Sequence, residues 1–179
     1  MDFSDCIGNS VTRHDTITPR LVDHFKKSLA PHFFDGQPVT PGLFWCLAPD
    51  VVVASQLGGD GHPKLGAFLP EIPYERRMWA GGWLEFHGQF AIGDEVRKTS
   101  RIDDITFKKG RSGNLFFITV MHEFFVADDL ILRERHDVVY CEIVAPKLPK
   151  PSLNSAPPPA HRWHVDVNSV MLFRYSALT

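Results

Sequence analysis

The sequence predicts an α+β domain in which a curled antiparallel sheet wraps one main helix. Three observations lead to it. Between Glu75 and Ile143, long apolar-rich runs follow one another, separated only by the turn signals Ile92-Gly93-Asp94, Lys108-Lys109-Gly110-Arg111-Ser112-Gly113 and Ala127-Asp128-Asp129. Runs so long, joined by turns so short, read as antiparallel strands laid side by side. A sheet of that kind has one face to bury, and the chain offers one good amphipathic helix to cover it.

That helix opens at Thr18-Pro19, where threonine caps free backbone donors and proline suits the first turn. Leu21, Val22, Phe25 and Leu29 follow at helical spacing, which leaves Asp23, Lys26 and Lys27 to solvent, and Pro31 with Asp35-Gly36 ends it. Residues 37–77, rich in proline and glycine, read as loop with one short strand or helical turn; a loop this long inside a compact domain is usually functional. In the first strand run Leu84, Phe86, Gly88 and Phe90 alternate with Glu85, His87 and Gln89, the period of a half-buried strand. Leu115-Phe116-Phe117-Ile118 is apolar on both faces, as in a central strand covered on both sides. The run from Leu130 to Ile143 alternates less cleanly.

Residues 146–160 are a proline-rich linker by composition, closing a first domain of residues 1–145. The tail, 161–179, carries Val165, Val167 and Val170, which suggest a strand, and Met171, Leu172, Phe173 and Tyr175, which suggest a helix start. It is too short for a core of its own and must dock on something.

Composition excludes several function classes. The chain is 44% hydrophobic and 22% charged, an ordinary globular balance. A net charge of -2 argues against a nucleic-acid partner, since the only basic cluster, Lys108-Lys109-Gly110-Arg111, falls in a turn where solvation explains it. No apolar run approaches the ~20 residues that span a bilayer, and the N-terminus lacks the pattern of a signal peptide. Cys6, Cys46 and Cys141 are odd in number and scattered, which offers neither a metal spacing nor a disulfide framework and suits the cytoplasm. No cofactor motif is present.

A helix, a long loop and then three or four long antiparallel strands is the α+β arrangement of a hot-dog fold. The motif order also resembles the N-terminal half of MaoC-like dehydratases, of the two-hot-dog mesaconyl-CoA hydratase and hydroxyacyl-thioester dehydratase type. The resemblance is carried by Gly61-His62-Pro63, Phe68-Leu69-Pro70, Arg76-Arg77-Met78-Trp79-Ala80-Gly81-Gly82, Leu84-Glu85-Phe86-His87, Ile92-Gly93-Asp94, Lys109-Gly110-Arg111-Ser112-Gly113 and Val120-Met121-His122-Glu123. It continues through Glu134–Tyr140 and Leu172-Phe173-Arg174-Tyr175-Ser176-Ala177-Leu178-Thr179. His136 stands where the family usually has glutamine, and Cys141 where it usually has arginine. The resemblance implies that 161–179 begins a second hot-dog domain and that the proton-transfer residues belong to that domain, beyond Thr179.

Adding water across an enoyl thioester needs a base, an acid and donors for the developing enolate oxygen. The candidates within the chain form no convincing pair. Glu85 and His87 share the polar face of a strand, where exposure explains them. His122 and Glu123 are adjacent and therefore point to opposite faces, as do His136 and Asp137. His161, His164 and Asp166 follow a linker, without the fixed scaffold a metal site needs. Asp60-Gly61-His62 reads as a turn.

By resemblance the chain supplies substrate binding. Arg76, Arg77, Trp79, Gly81 and Gly82 would form it, combining a cationic mouth, an aromatic wall and close backbone approach, although a β-bulge with a core tryptophan explains the same residues. Phe44, Trp45 and Phe68 are further candidates for lining the same cavity, or equally caps on the sheet. The implied ligand is an acyl-CoA or acyl-carrier thioester, such as mesaconyl- or itaconyl-CoA, acted on by a hydro-lyase. Two alternatives stand beside that reading. One is a non-catalytic subunit pairing with a separate catalytic hot-dog protein. The other is an acyl-CoA thioesterase, which needs a helix carboxylate, where Asp23 and Asp35 look solvent-facing. Edge-to-edge pairing of hot-dog sheets implies a homodimer or a partner domain.

Overall fold

A computed structural model describes residues 3–32, 36–74, 76–110, 113–142 and 159–179. Asp35, Arg111, Ser112 and most of the proline-rich linker lie outside the described residues. Five antiparallel strands form one curled sheet in the order β1-β3-β4-β5-β2: β1 Ser10–Thr16, β2 Arg76–Phe86, β3 Glu95–Gly110, β4 Gly113–Val126 and β5 Asp129–Cys141. Helix α1, Pro19–Leu29, lies against the sheet, and α2, Ser169–Ser176, packs on α1. This is the hot-dog arrangement.

Helix α1 forms for the reason its sequence gives. The Thr18 hydroxyl accepts the Leu21 N–H at 3.1 Å and Pro19 occupies the first turn. Val22 and Phe25 are buried against Val96, Phe124 and Leu132 of the sheet, joined by Leu43, Phe44 and Leu47 from the following loop. A second apolar cluster occupies the other end of the same sheet face: Ile102, Phe116, Ile118, Val120, Val138 and Tyr140, covered by Phe68, Leu69, Ile72 and Tyr74. The long irregular segment thus replaces a second helix as the cover of half the sheet. It contains two short 3-10 helices, Pro41–Cys46 and Ala54–Gln56, in keeping with the helical turn expected there.

One topological expectation is corrected. Ile92-Gly93-Asp94 does not close a hairpin between neighbouring strands. β2 ends at Phe86 and pairs with β5 at one edge, whereas β3 pairs with β4 and with β1 towards the other. Residues 87–94 therefore cross the sheet, and the glycine turn locks onto the end of β1: the Gly93 N–H donates to the Ile17 carbonyl at 2.8 Å and the Ile17 N–H to the Asp94 carbonyl at 3.0 Å. The strand it locks onto, β1, carries no apolar alternation in its sequence. Its inward positions alternate Val11, Arg13 and Asp15, so charge hides the period-2 signal.

Two smaller corrections follow. Trp79 is 70% exposed rather than core, because β2 is an edge strand. Val165 and Val167 do not form a strand; Asn168 caps α2 by accepting the Met171 N–H at 2.9 Å. The tail does dock. Tyr175 and Leu178 pack against the α1 cluster, the Tyr175 ring lies 6.3 Å from Phe25, and Arg174 donates to the Ser28 hydroxyl at 3.3 Å.

Candidate active-site cleft

Between the two apolar clusters the inner face of the sheet is polar. Cross-strand register puts these groups side by side. Arg13 faces Lys98, Ser100 faces His122, His122 faces Glu134, and His136 faces Val120 on one side and Gly82 on the other. On β3, β4 and β5 each is two residues from a buried apolar neighbour on the same face: Val96 and Ile102 on β3, Val120 and Phe124 on β4, Leu132 and Val138 on β5. A cleft of about 1090 Å³ opens over this belt, walled by Trp45, Arg77, Trp79, Trp83, Lys98 and His136, with the end of α2 at its rim. A second cavity of about 470 Å³ continues past Arg77, His122 and His136 towards Phe68 and Val138. The segment after the first 3-10 helix is held over the belt from β1. Asp15 accepts the Ala48 N–H at 2.7 Å, and Arg13 pairs with Asp50 at 2.7 Å.

The belt's electrostatics follow from burial. The Ser100 hydroxyl lies 2.7 Å from His122 Nδ1. Burial, reinforced by the charge of Lys98, pushes the His122 pKa down to about 3. Burial, with Arg77 adding to it, also lowers the values of His136 and His62, and the His122 and His136 rings sit 6.1 Å apart. All three imidazoles are therefore neutral near pH 7. Burial likewise lowers the Lys98 value and raises that of Glu134, the latter opposed by the Trp45 indole N–H, which donates to Glu134 Oε1 at 3.1 Å.

Of the five sequence-derived binding residues, Arg77, Trp79 and Gly82 line the cleft. Arg76 and Gly81 pair with Cys141 and Asp137, one step out of phase with the cleft-facing Tyr140 and His136, so they fall on the opposite face. The expected bulge is present between Trp79 and Gly81. Gly82 is required by close approach, because a Cβ there would run into the Arg135 carbonyl oxygen. Phe44 and Trp45 wall the larger cavity and Phe68 the smaller.

The adjacent pairs on β4 and β5, His122 with Glu123 and His136 with Asp137, stay apart. Glu123 and Asp137 point away from the belt, held by Arg133 at 2.9 Å and by Arg135 and Thr119 at 2.9 and 2.7 Å. His87 meets Glu85 at 3.3 Å outside the cleft, and Asp23 is tied to Lys27 at 2.9 Å on the exposed side of α1. His164 and Asp166 meet at 2.8 Å in full exposure, and no trio of His, Cys, Asp or Glu that could hold a metal occurs among the described residues. His62 does reach the cleft, on a turn where its N–H donates to Asp60 at 3.1 Å. Sequence reasoning passed over Lys98, Ser100 and Glu134. The available signal was a polar residue at inward parity, at the same level, on three successive strands.

The profile of the hydroxyacyl-thioester dehydratase type 2 family matches residues 42–179. The chain belongs to that family. It is also 41% identical over 144 residues to mesaconyl-C(4)-CoA hydratase of Chloroflexus aurantiacus, an alignment covering 79% of this chain and 51% of that protein. The chain thus spans about half the length of this curated relative. Among solved structures, the ChsH1-ChsH2 complex of Mycobacterium tuberculosis matches with a TM-score of 0.57 at 11% identity, covering 74% of this chain and 88% of that one. A MaoC-like dehydratase from Phytophthora capsici matches with a TM-score of 0.51 at 13% identity, covering 90% and 57%. At these identities the two structures speak to the fold.

Proposed function

We propose that this chain is the acyl-binding half of a hydratase or dehydratase acting on a short enoyl thioester of the mesaconyl- or itaconyl-CoA kind, carried on CoA or acyl carrier protein. The observation that carries the reading is the open polar cleft. A hot-dog sheet that served only stability would seal its inner face with apolar side chains, and here a cavity of about 1090 Å³ separates two apolar clusters. Trp45, Trp79 and Trp83 offer flat apolar walls for an acyl chain, and Arg77 a charge for the polar end.

The belt is better suited to binding than to proton transfer. A general base works best with a pKa near the operating pH, and a histidine at about 3 is far too weak. The acid and base would accordingly come from a second hot-dog unit. Pairing through β2 would bring one, because that edge strand exposes Trp83, Leu84 and Phe86 beside an unpaired backbone edge. The exposed apolar side chains of the tail, Val170, Leu172 and Phe173, offer a second contact.

The test has two readouts on the isolated chain. Titration with crotonyl-, mesaconyl- and itaconyl-CoA should quench the tryptophans of the cleft, while loss of the enoyl chromophore stays negligible. Robust turnover by the chain alone would overturn the assignment of a binding half, and failure to bind any of the three would overturn the cleft assignment itself.

A further inference from the structure

We propose that Lys98 and the neighbouring His122 ring form a subsite for a free carboxylate on the acyl chain, so that the cleft selects half-thioesters of short unsaturated dicarboxylic acids. This rests on the acyl-cleft reading above and adds the residues that would hold the acyl group's second carboxylate. Lys98 stands on the inner face of β3 with its ammonium 5.4 Å from the centre of the Phe124 ring, and it has no hydrogen bond or ion pair among the described residues. An ammonium drawn out of water without an anion is costly unless something pairs with it. The nearby carboxylates are committed elsewhere: Asp50 is bound to Arg13 at 2.7 Å, and Glu134 accepts the Trp45 indole N–H at 3.1 Å.

His122 completes the arrangement. Its Nδ1 is engaged by Ser100 at 2.7 Å, and its other ring nitrogen has no hydrogen-bond partner among the described residues. In the tautomer whose Nδ1 accepts from the Ser100 hydroxyl, Nε2 carries the proton and presents a neutral donor to the cleft, and an anion bound there selects that tautomer. Arg77 also lacks an ion pair or hydrogen bond among the described residues, and its charge, like that of Lys98, reaches both His122 and His136. Two uncommitted cations thus flank a pair of neutral imidazoles. The missing element is an anion, and the acyl half of a dicarboxylic monothioester supplies one without disturbing the thioester carbonyl.

The test uses two ligands that differ only at the far end of the acyl chain: the CoA monothioester of fumarate, and crotonyl-CoA, where a methyl group replaces the carboxylate. Free CoA is the third titrant, because its phosphates are the competing source of negative charge. Tryptophan quenching by the whole chain gives the affinities. Wild type should bind the fumaryl thioester about tenfold or more tightly than crotonyl-CoA, the effect of a partly desolvated charge-assisted contact. Lys98→Met should abolish that preference, whereas Lys98→Arg should keep it. Should Lys98→Met fail to fold, the wild-type ratio and Arg77→Gln still decide, the latter reducing the preference. Equal wild-type affinities would overturn the carboxylate subsite while sparing the acyl cleft. Weakening of free CoA by Lys98→Met would assign the charge to the carrier phosphates instead and also overturn it. Binding of none of the ligands would remove the cleft reading and this inference together.

Discussion

His122 should make the protein acid-sensitive in a way that one substitution can isolate. Its ordinary pKa is 6.5, and in the folded cleft it falls to about 3, first through burial and then through Lys98 and the other positive groups around it. The unfolded chain therefore takes up this proton long before the folded one. Stability from the neutral ring is complete above pH 6.5 and drains as pH falls towards about 3. Between pH 7.5 and 4.5 the full shift would cost about 2.7 kcal/mol, at 1.36 kcal/mol per pH unit below the unfolded value. His122 lines an open cleft that water can reach, so the expected loss is on the order of 2 kcal/mol.

The assay is urea unfolding at pH 7.5 and 4.5, at one protein concentration, for wild type and His122→Gln. Glutamine keeps a polar group near Ser100 and cannot titrate. The variant is free to differ by a constant; the readout is the difference between the two pH values. His62 and His136 add acid sensitivity in the same direction but do so in both proteins, so their effect cancels. Wild type should lose about 2 kcal/mol more than the variant over that interval. Equal losses would refute the reasoning, since they would mean that the His122 ring titrates normally in the folded state. An independent check is the His122 ring signal in an NMR titration, which should remain that of a neutral imidazole at pH 5.

The other predictions concern the frame around the cleft. Gly82→Ala should lower the midpoint of thermal unfolding by the equivalent of roughly 1–3 kcal/mol, because the new methyl meets the Arg135 backbone and β2 must part from β5. Gly81→Ala, which meets nothing within 4 Å, should be nearly silent in the same scan, and the contrast separates steric need from glycine content. Thr18→Ala should cost about 1 kcal/mol in urea unfolding by removing the cap of α1. Leu84→Glu, on the exposed edge of β2, should reduce any self-association measured by size exclusion with light scattering while leaving the circular dichroism of the fold intact; an unchanged oligomeric mass would remove that edge from the interface.

The legible and illegible parts of this chain divide along physical lines. Helix α1 was legible because its cap, its first-turn proline and the spacing of Val22 and Phe25 are all local. The long strands β3, β4 and β5 were legible because each is a long apolar-rich run and short connections join β3 to β4 and β4 to β5. β1 was not, because its inward side chains include Arg13 and Asp15, which spend their charge holding the cover over the cleft through Asp50 and Ala48. Without β1 in view, the Ile92-Gly93-Asp94 turn had no partner except the preceding run, and a hairpin was inferred where the chain crosses the sheet. The same blindness applied to Trp79, whose exposure depends on β2 being an edge, a property of strand order and not of local sequence.

The candidate site shows a more general limit. Pairing residues by nearness in sequence finds His122 with Glu123 and His136 with Asp137, combinations that strand geometry forbids. The combinations that occur, Ser100 with His122 and Trp45 with Glu134, are separated by 22 and 89 positions. Such contacts depend on register, and register becomes known only once the turns are correctly assigned. Yet the sequence does carry a trace of them. On β3, β4 and β5 an otherwise apolar inward series is broken at one level, by Lys98 and Ser100, by His122, and by Glu134 and His136. Burying polar groups at the middle of a sheet gives up the stability that leucine or valine would provide there, and a fold tolerates that loss most readily where the groups are used. That coincidence of level across three strands points to the cleft more directly than the arginine, tryptophan and glycine run on β2, which is shared between the cleft wall and the backbone's own steric needs.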